Sequence, residues 1–261
     1  MYSFDIERPT SLATAQSALA AEGAMPLAGG QTLIPTLKAR LAAPDTLVSL
    51  TAVAGLNTVT ESNGSIVIGA TAIHADVAKA TAASYPALAW LAGNIGDPAV
   101  RNRGTVGGSL ANNDPAACYP AAALASGATI TTDRRTLDAD DFFVDIFETA
   151  LEENELITRA TFPIPQQANY QKFEQPASRF ALVGVFVARG SGGVRVAVTG
   201  ASQSGVYRWH EAEDALGRNF SAATLDALSV DDGNMISDLH GSPAYRAHLV
   251  KILTARAVAA V

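Results

Sequence analysis

Cysteine occurs once in this 261-residue chain, at Cys118. No disulfide can form within the chain. A thiolate-held zinc or iron–sulfur centre, which needs about four Cys or mixed Cys/His ligands, has no ligand set either. Histidine is nearly as scarce: His74, His210, His240 and His248 are scattered and lack the HExxH spacing of a zinc hydrolase. No metal site is expected, so any redox chemistry must run on an organic carrier, with metals left to partners. Charged residues make up only 16% of the chain and the net charge is −7, which argues against a nucleic-acid partner. No apolar run reaches the roughly 20 residues of a membrane-spanning helix. Met1-Tyr2-Ser3-Phe4-Asp5 lacks the basic and apolar regions of a secretory leader. A cytoplasmic protein without a transmembrane segment is expected.

Familiar catalytic signatures are missing too. The sequence contains no GxxxxGK[ST] loop, no GxGxxG fingerprint and no GxSxG elbow. That excludes a P-loop nucleotidase, a Rossmann dinucleotide domain and an α/β-hydrolase. Asp140-Asp141 and Glu152-Glu153 are paired carboxylates on polar segments and read as solvated surface. No catalytic acid–base pair is expected.

What the chain does have is a 48% apolar composition, enough for a full core, and two glycine turns that organise the rest. The first is Ala28-Gly29-Gly30-Gln31-Thr32-Leu33. The second is Gly104-Thr105-Val106-Gly107-Gly108-Ser109-Leu110-Ala111-Asn112. Glycine belongs where backbone takes a positive φ or comes close to a ligand. Successive free amides in such a turn form a concave nest for an anion. Two nests in one domain suit two linked phosphates, and a dinucleotide is the natural ligand.

Taken in order, the sequence predicts a strand over Phe4–Arg8 and a helix capped by Thr10 or Ser11 and running to Ala21. A strand over Ala24–Ala28 leads into the first turn, followed by a short helix over Ile34–Leu41 and a strand over Thr46–Leu50. Leu56–Ala70 predicts a hairpin about Ser62-Asn63-Gly64. Thr71 is expected to cap a helix to Ala83, His74 to cap or face solvent, and Pro86 to open a helix ending at Ala92. After the second turn come a buried helix over Ala116–Ser126 and strands over Ala128–Thr132 and Glu155–Phe162. Pro163-Ile164-Pro165 marks a boundary. Beyond it lie three strands (Tyr170–Glu174, Ala181–Arg189, Val194–Thr199) and helices over Glu211–Leu216 and Ala222–Leu228. A terminal helix is capped by Ser242 and runs to Val258. A small α+β domain is expected there.

Pro26 to Leu33, Ile95-Gly96-Asp97-Pro98 through Asn112, and Asp114-Pro115-Ala116-Ala117 together resemble the FAD-binding medium subunit of the molybdenum hydroxylases. That family includes the medium subunit of carbon monoxide dehydrogenase and the flavin domain of xanthine dehydrogenase, and the resemblance spans nearly the whole chain. It implies an α+β protein with a two-part FAD-binding domain of the p-cresol methylhydroxylase type over residues 1–165, with subdomains of about 1–52 and 53–165. A C-terminal flavoprotein domain would follow over 166–261, with a three-stranded antiparallel sheet and helices. It further implies that Ala28, Gly29, Gly30, Gln31, Thr32 and Leu33, with Thr105, Gly107, Gly108 and Ser109, hold the FAD pyrophosphate. Ile95 would pack on the isoalloxazine ring, Ile157 would lie near it, Asp114 would belong to the adjoining loop, and Phe180 would fall at an aromatic position by the ring.

By the same resemblance, substrate is hydroxylated at a molybdopterin centre on a large subunit. Electrons cross two [2Fe–2S] clusters on a small subunit to FAD here, in a dimer of heterotrimers. Two departures stand out: the family commonly has a carboxylate at Cys118 and a lysine at Glu174, changes expected to weaken or retune FAD binding. Two other readings are a self-contained flavin reductase or oxidase of the same fold and an assembly protein that has lost its flavin. A plain nucleotide-binding module is a third.

Overall fold

A computed structural model describes residues 1–261. The first unit holds β1 (Asp5–Glu7), α1 (Leu12–Leu19), β2 (Ala24–Leu27), α2 (Leu33–Lys38) and β3 (Thr46–Ser49). β3 is the middle strand of a three-stranded parallel sheet, between β1 and β2. Parallel neighbours need a crossover: α2 provides it between β2 and β3, while α1 joins the two outer strands. Ser11 caps α1 and closes a reciprocal box with Thr14. The helix then buries Ala15 and Leu19 against Val48, Leu50, Val53 and Leu56.

The second unit begins with β4 (Val59–Ser62) and β5 (Ser65–Gly69), joined through Asn63 and Gly64 at φ 50° and 71°. Two positive φ values in a two-residue loop match the right-handed twist of the strands, so this hairpin forms where expected. Then come α3 (His74–Thr81), α4 (Pro86–Gly93), α5 (Pro98–Arg101), α6 (Val106–Asn112) and α7 (Tyr119–Ser126). They are followed by β6 (Thr129–Thr132), β7 (Thr136–Asp138), α8 (Ala139–Phe142), β8 (Phe143–Asp145), β9 (Glu148–Thr149) and β10 (Ile157–Pro163). An antiparallel five-stranded sheet, ordered β4-β5-β10-β6-β7, carries the central core, with α7 among the elements packed on it.

The last unit contains β11 (Gln167–Glu174), β12 (Ala181–Gly190), β13 (Gly193–Ser202), β14 (Gly205–Arg208), α9 (His210–Arg218), a 3₁₀ turn at Ala222–Ala227 and α10 (Pro243–Ala259). Its antiparallel sheet has four strands, one more than expected, because the chain returns through Gly205 to pair Val198 with Tyr207. β12 reads as an almost unbroken apolar run because both its faces are covered. Tyr170, Phe186 and Ala197 join the central core, whereas Val183, Val185 and Val198 share a core with Leu249, Val250 and Leu253 of α10. Arg246 fastens α10 to this sheet. Its buried guanidinium donates to the carbonyls of Leu182 (2.7 Å) and Gly200 (2.6 Å) and to Asp238 (2.8 Å).

Other local expectations change. Thr71 does not cap α3. The chain crosses Ala72 and Ile73 in extended form, Ile73 bridges Thr105, and the helix starts at His74. His74 is neither a cap nor a surface residue but 4% exposed. Cys118 is buried as expected, though it stands at the start of α7 rather than inside it. The carboxylates expected to be solvated are engaged in part. Asp140 pairs with Arg195 and Arg208, and Glu152 with Arg134.

Candidate functional site

β2 delivers the chain to the first turn, where Gly30 takes a φ of 69°. The turn closes on itself through Gln31 Nε2, which donates to the Gly29 carbonyl (3.1 Å), and through the Ile34 amide, which donates to the Gly30 carbonyl (3.1 Å). The amides of Ala28, Gly29, Gly30, Gln31, Thr32 and Leu33 have no acceptor within the protein. These residues are half-buried or exposed. Six consecutive unpaired donors in a turn of half-buried and exposed residues can act as an anion nest.

The second turn differs from its sequence reading. Gly107 and Gly108 lie in the first turn of α6, and most amides are already used. Val106 donates to the Ala72 carbonyl (3.1 Å), Gly107 to Ala70 (2.9 Å) and Ser109 to Thr105 (3.0 Å). Gly108 donates to Thr105 Oγ1 at 3.2 Å. The Thr105 amide and the half-buried Ser109 hydroxyl remain free of protein partners. This side therefore offers a helix start and a hydroxyl rather than a row of amides.

The two turns meet. A methyl on Gly29 would land on the Arg103 carbonyl oxygen and 2.8 Å from the Gly104 Cα, and a methyl on Gly108 would come within 3.9 Å of the Ala28 Cβ. Gly29 is glycine because backbone passes close by, the second use of a missing side chain, whereas at Gly108 a methyl would crowd the Thr105 hydroxyl at 2.9 Å.

The remaining expected residues are more dispersed. Ile95 is half-buried at the end of α4 and packs on the central core. Its segment is held from two sides: Arg101 donates to the Gly96 carbonyl (2.7 Å), and Lys172 from β11 donates to the Asn94 carbonyl (2.8 Å). Asp114 turns its carboxylate onto the Ala116 amide (2.8 Å) and so shapes its own loop. Ile157 is 6% exposed, within the central core, and shows a ligand almost no surface. Phe180 is 60% exposed in the β11–β12 connection, where its carbonyl accepts from the Gln175 amide. Glu174 stands at the exposed end of β11, past a register shift, so the cation near Ile95 comes from Lys172, two residues earlier.

Cys118 lies against the Tyr170 hydroxyl, whose pKa is pushed far up by burial and, secondarily, by the thiol. The hydroxyls of Tyr119 and Tyr170 are buried without hydrogen-bond partners. A thiol satisfies a phenol poorly, which is the physical content of the departure at this position. His74 is expected from sequence to cap or face solvent, because a lone histidine carries no motif that would mark it as part of a site. Its ring sits beneath Gly104, and burial, with Arg101 as a second cause, lowers its pKa to about 4. It is a neutral imidazole at pH 7. No three His, Cys, Asp or Glu side chains converge on a metal-sized site. Depressions of about 300 Å³ beside Tyr85 and Ile164 and about 180 Å³ beside Asp140 and Tyr207 include no residue of either turn.

The two glycine turns are brought together, one rich in unpaired amides and the other starting a helix, an arrangement whose free donors can take an anion. Residues 2–165 match the family described as the FAD binding domain in molybdopterin dehydrogenase. The chain is 35% identical to the nicotine 6-hydroxylase medium subunit of Paenarthrobacter nicotinovorans, over 89% of this chain and 87% of that one. It is 31% identical to the carbon monoxide dehydrogenase medium chain of Hydrogenophaga pseudoflava, over 98% and 96%. Its structure superposes on a chain of a crystallised Cu,Mo-CO dehydrogenase with a TM-score of 0.89 at 30% identity, covering 99% of this chain and 97% of that one. The chain belongs to the FAD-binding medium subunits of the molybdenum hydroxylase family. It is an oxidoreductase subunit of the dehydrogenase type.

Proposed function

We propose that the amides of Ala28 to Leu33, with the Thr105 amide and the Ser109 hydroxyl, hold the pyrophosphate of FAD, and that Ile95 and Phe180 border its ring. The observation carrying this reading is the direct contact of the two turns through Gly29 and Gly104, with six unpaired amides on one side. The residues fit the group: the free donors suit a diphosphate, and the glycines let the two turns close on each other, which brings those donors together. FAD supplies a carrier that exchanges electrons singly or in pairs, while the protein supplies binding, orientation and local charge. The Lys172 ammonium adds a positive charge beside the Ile95 segment.

The subunit passes electrons from [2Fe–2S] clusters of a small partner, fed by a molybdopterin-bearing large partner, to an external acceptor. Relatives named as medium subunits or chains support membership of such a complex. We take the assembly to be a cytoplasmic dimer of heterotrimers, and residues 1–165 and 166–261 to be its two structural units in this chain. No helix is long and apolar enough to cross a membrane. The test is a co-expressed complex in which Gly29 carries a bulky substitution. Substrate should still reduce the partner clusters, while flavin content and acceptor reduction fall together. Full acceptor reduction in a flavin-free complex would overturn the proposal.

A further inference from the structure

We propose that His74 is a positioning residue for the flavin site, a wedge whose fit against Gly104 sets where the second glycine turn stands. The inference rests on the functional reading above and adds a residue to it. The segment from Ala70 to His74 is stitched to the turn by backbone. The Ala70 carbonyl accepts from Gly107 (2.9 Å), the Ala72 carbonyl from Val106 (3.1 Å), and the His74 amide donates to the Gly104 carbonyl (3.0 Å). The imidazole then fills the space directly under the turn. A methyl on Gly104 would stand 2.5 Å from His74 Nε2 and 2.9 Å from Cδ2. The ring also packs on Tyr119, with centroids 5.3 Å apart and the planes tilted by 42°.

Nδ1 makes no hydrogen bond. The ring therefore contributes shape, not a polar link. Above Gly104 there is equally little room, because its Cα already lies 2.8 Å from where a Gly29 Cβ would be. Tyr119, His74, Gly104 and Gly29 thus follow one another in close succession. Any change in the thickness of the imidazole moves Gly104, and with it the free Thr105 amide next in the chain.

The test is a double-mutant cycle on FAD dissociation constants of the full chain, stripped of flavin and titrated with FAD by fluorescence quenching. Melting of the flavin-free protein is followed in parallel. Gly104 does not have a positive φ, so alanine adds a methyl without backbone strain. Gly104→Ala and His74→Ala should each raise Kd about tenfold, one by overfilling and the other by emptying the same space. Combined, they should bind FAD more tightly than Gly104→Ala alone, because the new methyl enters the vacated volume. His74→Phe, which keeps a planar ring, should stay within about threefold of the unmodified chain and serves where the alanine variant does not fold. Multiplicative losses in the double variant, or an unchanged Kd for His74→Ala, would overturn the wedge. Failure of the unmodified chain to take up FAD would instead overturn the functional reading.

Discussion

Replacing Gly29 by alanine pushes on the contact that brings the two turns together. The atoms a new methyl meets are all backbone: the Arg103 carbonyl oxygen, the Gly104 Cα at 2.8 Å and the Arg103 carbonyl carbon at 2.9 Å. None can rotate aside. Ordinary contact starts near 3.4 Å, so the two turns must move apart, most of all at the Arg103 carbonyl oxygen. Overpacking of this kind costs about 1–3 kcal/mol. Separation spoils the convergence of donors on one diphosphate, so the cost should emerge as weaker cofactor binding, about 5- to 150-fold in Kd. FAD titration of the flavin-stripped chain reads this directly, and thermal melting of the same sample shows whether the fold survives. A Kd within twofold of the unmodified protein, with an unchanged melting curve, would refute the idea that the turns act as one site.

Three further predictions concern the frame around the site. Hydrogen bonds from Arg135 first, then from the Glu152 amide and Thr132, hold the Glu155 carboxyl at about 2, against burial. A folded value below the usual 4.5 stabilises above pH 4.5 and is lost as pH falls towards 2. Glu155→Gln should therefore cost about 2 kcal/mol at pH 7, discounted for the exposure of Arg135, and flatten the acid limb of urea-derived stability. For His74 the folded value of about 4 lies below 6.5, so its neutral form stabilises above pH 6.5 and the contribution fades between 6.5 and 4. His74→Phe should remove a slope totalling about 3 kcal/mol across that window, and an unaltered pH profile would contradict it. Arg246→Ala strands the Leu182 and Gly200 carbonyls and Asp238, and should lower stability by about 3 kcal/mol, a drop of roughly 6–12 °C in melting temperature.

Much of this was legible because local chemistry agreed with the fold. Asn63-Gly64 dictates its hairpin, Ser11 and Ser242 cap their helices, and Pro86 and Pro243 open theirs. The glycine pairs marked two loops that meet in the fold, since positive φ and close approach both demand glycine. What they could not show is that the second loop's amides are spent on Ala70 and Ala72, more than thirty residues earlier in the chain. β14 was missed because four residues after a tight turn carry too little period to read. The hairpin of β8 and β9 was missed for a different reason. It sits in an acidic stretch and is anchored by Asn113, whose amide donates to the Asp145 and Glu148 carbonyls, a tertiary bond with no local trace. His74 and Lys172 likewise gain their roles from what the fold sets beside them.

The most direct measurement compares FAD, FMN and ADP on the flavin-stripped chain. A site built on a diphosphate between two touching turns should bind one FAD per chain, be competed by ADP, and hold FMN far more weakly. Equal affinity for FMN and FAD, or FAD binding indifferent to ADP, would contradict it.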